Sequence, residues 1–73
     1  MSDITVHIDE TLDETSLGVL QYDLSHLRGV HEVNADGNRP HLMVVHYDHR
    51  ELDSRRILSE FQGHGYHAEL IGF

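Results

Sequence analysis

Residues 17–30, LGVLQYDLSHLRGV, carry an apolar stripe that stops at a glycine and restarts with a different period. Leu17, Leu20, Leu24 and Leu27 recur at spacings of three and four, which places them on one face of a helix. Gly18 weakens that helix by about 1 kcal/mol relative to alanine. Arg28-Gly29 ends it, and Val30 and Val33 open a short strand over Val30–Ala35, with both valines expected in the core.

Working towards the start of the chain, Ile4, Val6 and Ile8 alternate with Thr5, His7 and Asp9, the period-2 signature of a strand with one buried face. Thr11-Leu12-Asp13-Glu14 has the form of a capping box and predicts a helix start near Thr11. Working the other way, Asp36-Gly37-Asn38 is a hairpin signal, and Arg39-Pro40 lengthens the loop. His41–Tyr47 is rich in β-branched and aromatic residues and reads as a strand. Asp53 or Ser54 caps a second helix that buries Ile57, Leu58 and Phe61. Gly63-His64-Gly65 closes it, and Tyr66–Ile71 forms the last strand with Ala68 and Leu70 facing in.

The order β-α-β-β-α-β predicts an α+β, ferredoxin-like sandwich. Two right-handed crossovers interleave into an antiparallel sheet of order 4-1-3-2 with both helices on one face. The opposite sheet face is left open. At 73 residues the chain is expected to be a single domain spanning 1–73.

Composition narrows the function. The formal charge is −8, from 13 acids against five bases, all arginine, which argues against nucleic acid and anionic membranes as partners. With no cysteine, disulfides, thiolate metal sites and thiol nucleophiles are all excluded. The apolar runs are too short to span a membrane and no signal segment follows Met1, so a cytoplasmic location is expected. Eight histidines stand out, since average composition would supply about one or two. Imidazole is a common ligand for zinc, nickel, cobalt and copper(II). No phosphate loop, dinucleotide fingerprint or H-E-x-x-H occurs, and a non-catalytic role is expected.

Leu20, Leu24 and Leu27-Arg28-Gly29-Val30, then Val45-x-Tyr47-Asp48, then Ile57, then Gly65-Tyr66-x-Ala68-x-Leu70-Ile71 run in order along nearly the whole chain. In this pattern the sequence resembles the heavy-metal-associated domains, the small ferredoxin-like modules of copper chaperones and metal-pumping ATPases. The resemblance implies a metal carrier that holds its ion in the loop between the first strand and first helix, on Met-x-Cys-x-x-Cys. Counted back from the helix leucines, the two thiolate positions fall on Asp13 and Ser16. A carboxylate and a hydroxyl do not replace two soft thiolates, so copper(I) handling is not expected.

Three histidine groups are candidates instead. At the sheet end that holds the family's metal loop, Asp13 with His64 and His67 would suit zinc, nickel or cobalt(II), with Asp9, Glu10, Glu14 and His41 nearby. The ordinary account of those acids is stabilisation of a helix N-terminus. On the open sheet face, strand parity turns Thr5, His7, Asp9, His46, His67 and Glu69 outward. Leu42, Val44 and Ile71 share that face and, with Tyr66, form a candidate protein-binding surface. His46-x-x-His49 is a third, weaker pair, and His26 and His31 flank a helix end where imidazolium is favoured.

Two readings stay open. One is a metal-binding or carrier-like domain using histidine and carboxylate ligands. The other is a protein-interaction module without metal, docking a partner or a second copy through the open face or an edge strand.

Overall fold

Leu20 and Leu24 from the 17–30 segment are fully buried, and with them the predicted helix stripe meets the sheet. The computed structural model describes residues 2–36 and 39–71. Its elements are β1 (Ser2–Ile8), α1 (Glu14–Ser25), β2 (Val30–Asp36), β3 (Arg39–Tyr47), α2 (Ser54–Gly63) and β4 (Ala68–Ile71). The sheet order is β2-β3-β1-β4, as expected, and every neighbouring pair is antiparallel.

The core lies between one sheet face and the two helices. Val6 and Ile8 of β1, Met43, Val45 and Tyr47 of β3, Leu20 and Leu24 of α1, and Ile57 and Phe61 of α2 are its buried members. Ala68 and Leu70 pack against it from β4, and Leu17, Leu27, Val30, Val33 and Leu58 from the other elements. Among the described residues no helix is long and apolar enough to cross a membrane.

Several boundaries depart from expectation. Helix α1 is capped by Asp13, not Thr11: the Asp13 carboxylate accepts the Ser16 backbone N–H at 2.7 Å. A carboxylate is at least as good an N-cap as a hydroxyl, and a cap at Asp13 leaves residues 9–12 free to run along the end of the sheet. Asp53 is the cap of α2, taking the Arg56 N–H at 2.9 Å.

The last strand begins at Ala68 rather than Tyr66 because α2 uses the intervening amides to close itself. Gly65 N–H reaches Gln62 O at 2.9 Å and Tyr66 N–H reaches Phe61 O at 3.4 Å, around Gly65 at φ +88°. This is the paired 5→2 and 6→1 closure of a helix end, and it needs a left-handed residue where glycine stands.

Arg39 and Pro40 belong to β3 rather than to the loop, since β2 and β3 pair down to Asp36 and Arg39. The turn expected at Asp36-Gly37-Asn38 falls largely outside the described residues.

Candidate metal centre

Strand register sets out the open face row by row. His7 of β1 lies between Leu42 of β3 and Glu69 of β4. The next row holds Asn34, Val44, Thr5 and Ile71, and the row beyond it Glu32, His46 and Asp3. Directly opposed side chains share a face, so the outward parity predicted for His7, His46, Glu69, Leu42, Val44 and Ile71 is met.

The row through His7 ends in a cluster. His7 Nδ1 is 3.4 Å from Asp9 Oδ1 and 3.8 Å from Glu69 Oε1. One ligand atom from each of the three residues falls within 4.8 Å of the other two, a grouping found once among the described residues. His7 Nδ1 is itself shielded from solvent and hydrogen-bonded to nothing, although the rest of the side chain is about one-third exposed. It thus lies in ion-pair range of two carboxylates without the geometry of a hydrogen bond to either.

His41 packs beside the cluster. Its ring is stacked on that of His7, with centroids 6.0 Å apart and planes inclined by 29°. His41 Nδ1 is 2.9 Å from Ile8 O. An open cleft of about 430 Å³ adjoins the cluster, lined by Asp9, Gln62, Gly65, Tyr66, His67, Ala68 and Glu69.

The other expected ligands are engaged one by one with different partners. Asp13 caps α1, and the Ser16 amide bond draws its carboxyl below the usual aspartate range. His64 Nε2 is 3.0 Å from Asp23 Oδ2 of α1, and its ring lies parallel to Tyr66. His67 precedes β4 and pairs with Glu10 through Nδ1, while its backbone N–H reaches Glu10 Oε1 at 2.8 Å. That hydrogen bond raises the His67 imidazole above the ordinary histidine value and lowers the Glu10 carboxyl below the ordinary glutamate value.

His46 pairs with Asp3, two rows away from His7, and His49 Nδ1 meets Ser2 Oγ at 3.1 Å. Tyr66 packs against the core from the α2–β4 turn and so stands apart from Leu42, Val44 and Ile71. The two positions inferred for thiolates, Asp13 and Ser16, are joined by the helix-cap bond.

Known structures superpose on this backbone over nearly its full length. A copper-binding domain from HMA7, a P-type ATPase, matches with a TM-score of 0.88 at 18% identity, covering 99% of this chain and 96% of that one. The fold is heavy-metal-associated-like. Oxidized MerP from Ralstonia metallidurans matches at a TM-score of 0.84 and 14% identity, covering 97% of each chain. The CsoZ metallochaperone matches at 0.81 and 22% identity, covering 93% of this chain and 96% of that one. No family model matches the chain, and neither does any curated protein. A heavy-metal-associated-like backbone without a single cysteine has no thiolate to offer a metal ion.

Proposed function

We propose that this chain is a small, non-catalytic metal-carrier domain that holds a divalent ion through imidazole and carboxylate rather than thiolate. The observation that carries this reading is the His7–Asp9–Glu69 cluster. A tetrahedral ion with bonds of about 2.0–2.2 Å spaces its donors about 3.3–3.6 Å apart. The separations of 3.4 and 3.8 Å around His7 Nδ1 are close to that spacing. Nitrogen with carboxylate oxygen suits zinc, nickel, cobalt(II) or copper(II), while copper(I) prefers sulfur. The similar structures described as a copper-binding domain and a metallochaperone support the carrier role. A site on an open sheet face, beside a cleft, leaves its ion accessible for transfer to a protein partner.

The test is titration with zinc, nickel and copper(II) at pH 7.5, following the thermal midpoint and the imidazole resonances. Binding should raise the midpoint and move His7 first, and His7→Ala or Glu69→Gln should abolish both effects. If millimolar metal moves neither readout, the reading fails.

The runner-up is a docking module without metal. Val44, Thr5 and Ile71 form a half-buried row that no helix covers, and this favours a contact surface there. A silent titration, with partner binding lost on Val44→Asp, would establish that reading instead.

A further inference from the structure

We propose that His41 is the fourth ligand of the His7 site and makes it selective for zinc-like ions over calcium and magnesium. The inference rests on the metal-carrier reading and deepens it.

A carbonyl oxygen can only accept a hydrogen bond. The contact between His41 Nδ1 and Ile8 O at 2.9 Å therefore places the His41 proton on Nδ1. The lone pair is left on Nε2, with the ring orientation held by a partly buried bond to the backbone. This is the arrangement that ligating histidines use: the second nitrogen donates to a carbonyl or carboxylate, which fixes the tautomer and raises the basicity of the first. The ring so prepared is stacked on His7, 6.0 Å away between centroids.

His41 is brought there by the edges of two neighbouring strands. Ile8 is the last residue of β1, and His41 lies near the start of β3, which runs antiparallel to it. His7 and His41 thus reach the same sheet end from adjacent strands, while Glu69 arrives from β4 on the far side of β1.

The chemistry changes with the fourth donor. One imidazole with two carboxylates is largely an oxygen site, and hard ions compete for it. Two imidazoles with two carboxylates make a four-donor N₂O₂ set, which favours zinc and its neighbours over calcium and magnesium. His41 is not part of the 4.8 Å grouping of His7, Asp9 and Glu69, so recruiting it requires its ring to turn towards the cluster, at the expense of the bond from Nδ1 to Ile8 O.

The experiment compares the intact chain with His41→Ala by zinc competition against a chromophoric chelator, with calcium and magnesium as controls. We expect the variant to bind zinc at least tenfold more weakly, with calcium and magnesium affinity unchanged. Because His41→Ala also removes the bond to Ile8, the wild-type chain is examined in parallel by ¹⁵N imidazole spectra. Zinc should shift His41 Nε2 while Nδ1 stays protonated.

If wild type binds zinc and His7→Ala abolishes binding, but His41 Nε2 does not shift and His41→Ala binds within threefold of wild type, His41 is not a ligand. The carrier reading survives that result. If wild type binds no zinc, the carrier reading itself is overturned, and this inference with it.

Discussion

Glu10 holds His67 at two points, accepting the His67 backbone N–H on Oε1 at 2.8 Å and facing the imidazole Nδ1 with Oε2. The bond joins the loop after β1 to the residue before β4, so the start and end of the chain's path meet at one imidazole–carboxylate pair. The hydrogen bond is the main reason that His67 is raised from its ordinary 6.5 and Glu10 lowered from its ordinary 4.5. The raised histidine contributes stability that is complete below 6.5 and is lost as pH rises through its higher folded value. The lowered glutamate contributes stability that is complete above 4.5 and is lost as pH falls through its lower folded value. Both contributions are present together between about pH 4.5 and 6.5. Glu10→Gln keeps an acceptor for the backbone amide and removes the charge. Its thermal midpoint should fall below wild type mainly in that window, with the gap narrowing by about pH 8.5. A gap that stays constant from pH 5 to 8.5 would contradict this account.

The core is small enough that one truncation consumes much of the stability. A domain of this length has about 4–11 kcal/mol in total. Phe61 is the largest fully buried side chain, and Phe61→Ala should cost about 3–5 kcal/mol. Urea unfolding would measure the loss, and a change below about 1 kcal/mol would mean that Phe61 is not packed as described.

Two glycines with positive φ separate conformational strain from crowding. Gly29 sits at φ +100°, and an added Cβ would come within 3.2 Å of both Glu51 and Leu52 Cβ atoms. Gly65 sits at φ +88° with open space around it. Alanine at either site meets the left-handed penalty of about 1–2 kcal/mol, but only Gly29→Ala must also displace neighbouring atoms. Gly29→Ala should therefore be the more damaging in side-by-side melts, and Gly65→Asn should recover part of the Gly65→Ala loss. Equal losses for the two alanine variants would remove the crowding argument.

The proposed metal site at His7 carries a prediction about protons. A ligating imidazole must be neutral, so zinc affinity should weaken as the solution is acidified. At a hundredfold excess over Kd, zinc should add about 2.7 kcal/mol to the unfolding free energy. Calorimetry at pH 7.5 and at pH 5.5 would test this: equal zinc stabilisation at both values would point away from histidine ligands.

The alternation of Ile4, Val6 and Ile8 and the leucine stripe of α1 are local patterns, and the fold was legible from them. Alternation also told which residues leave the core, and His7, His46 and Glu69 do face outward together. It does not tell which row each occupies. His46 lies opposite Asp3 and His7 opposite Glu69, because register follows from the long crossovers between strands. The same limit applies to Asp13, His64 and His67, which sequence order places near one sheet end without fixing their contacts. His64 and His67 have carboxylate partners, Asp23 and Glu10, whose proximity depends on packing that no spacing encodes, while Asp13 is taken up by the Ser16 amide in its own helix cap. The helix start at Asp13 was a competition between two good caps, Thr11 and Asp13, two residues apart.

Strand β1 lies in the middle of the sheet, between β3 and β4, and this has a consequence for how the chain assembles. Its partners are remote: Ile4 pairs with Val45, and Thr5 with Ile71. Of the four strands β1 comes before the others in the chain, yet its pairing waits until β3 has emerged and is complete only with β4. Hairpin β2–β3 is local and can form while β1 is still unpaired. Closing the long loops that bring in β1 costs chain entropy before any of its hydrogen bonds return it. Folding should accordingly be slow for so short a chain, with a transition state set by the docking of β1. Until that docking, Val6 and Ile8 remain in water, and it is during this interval that the chain is most exposed to aggregation.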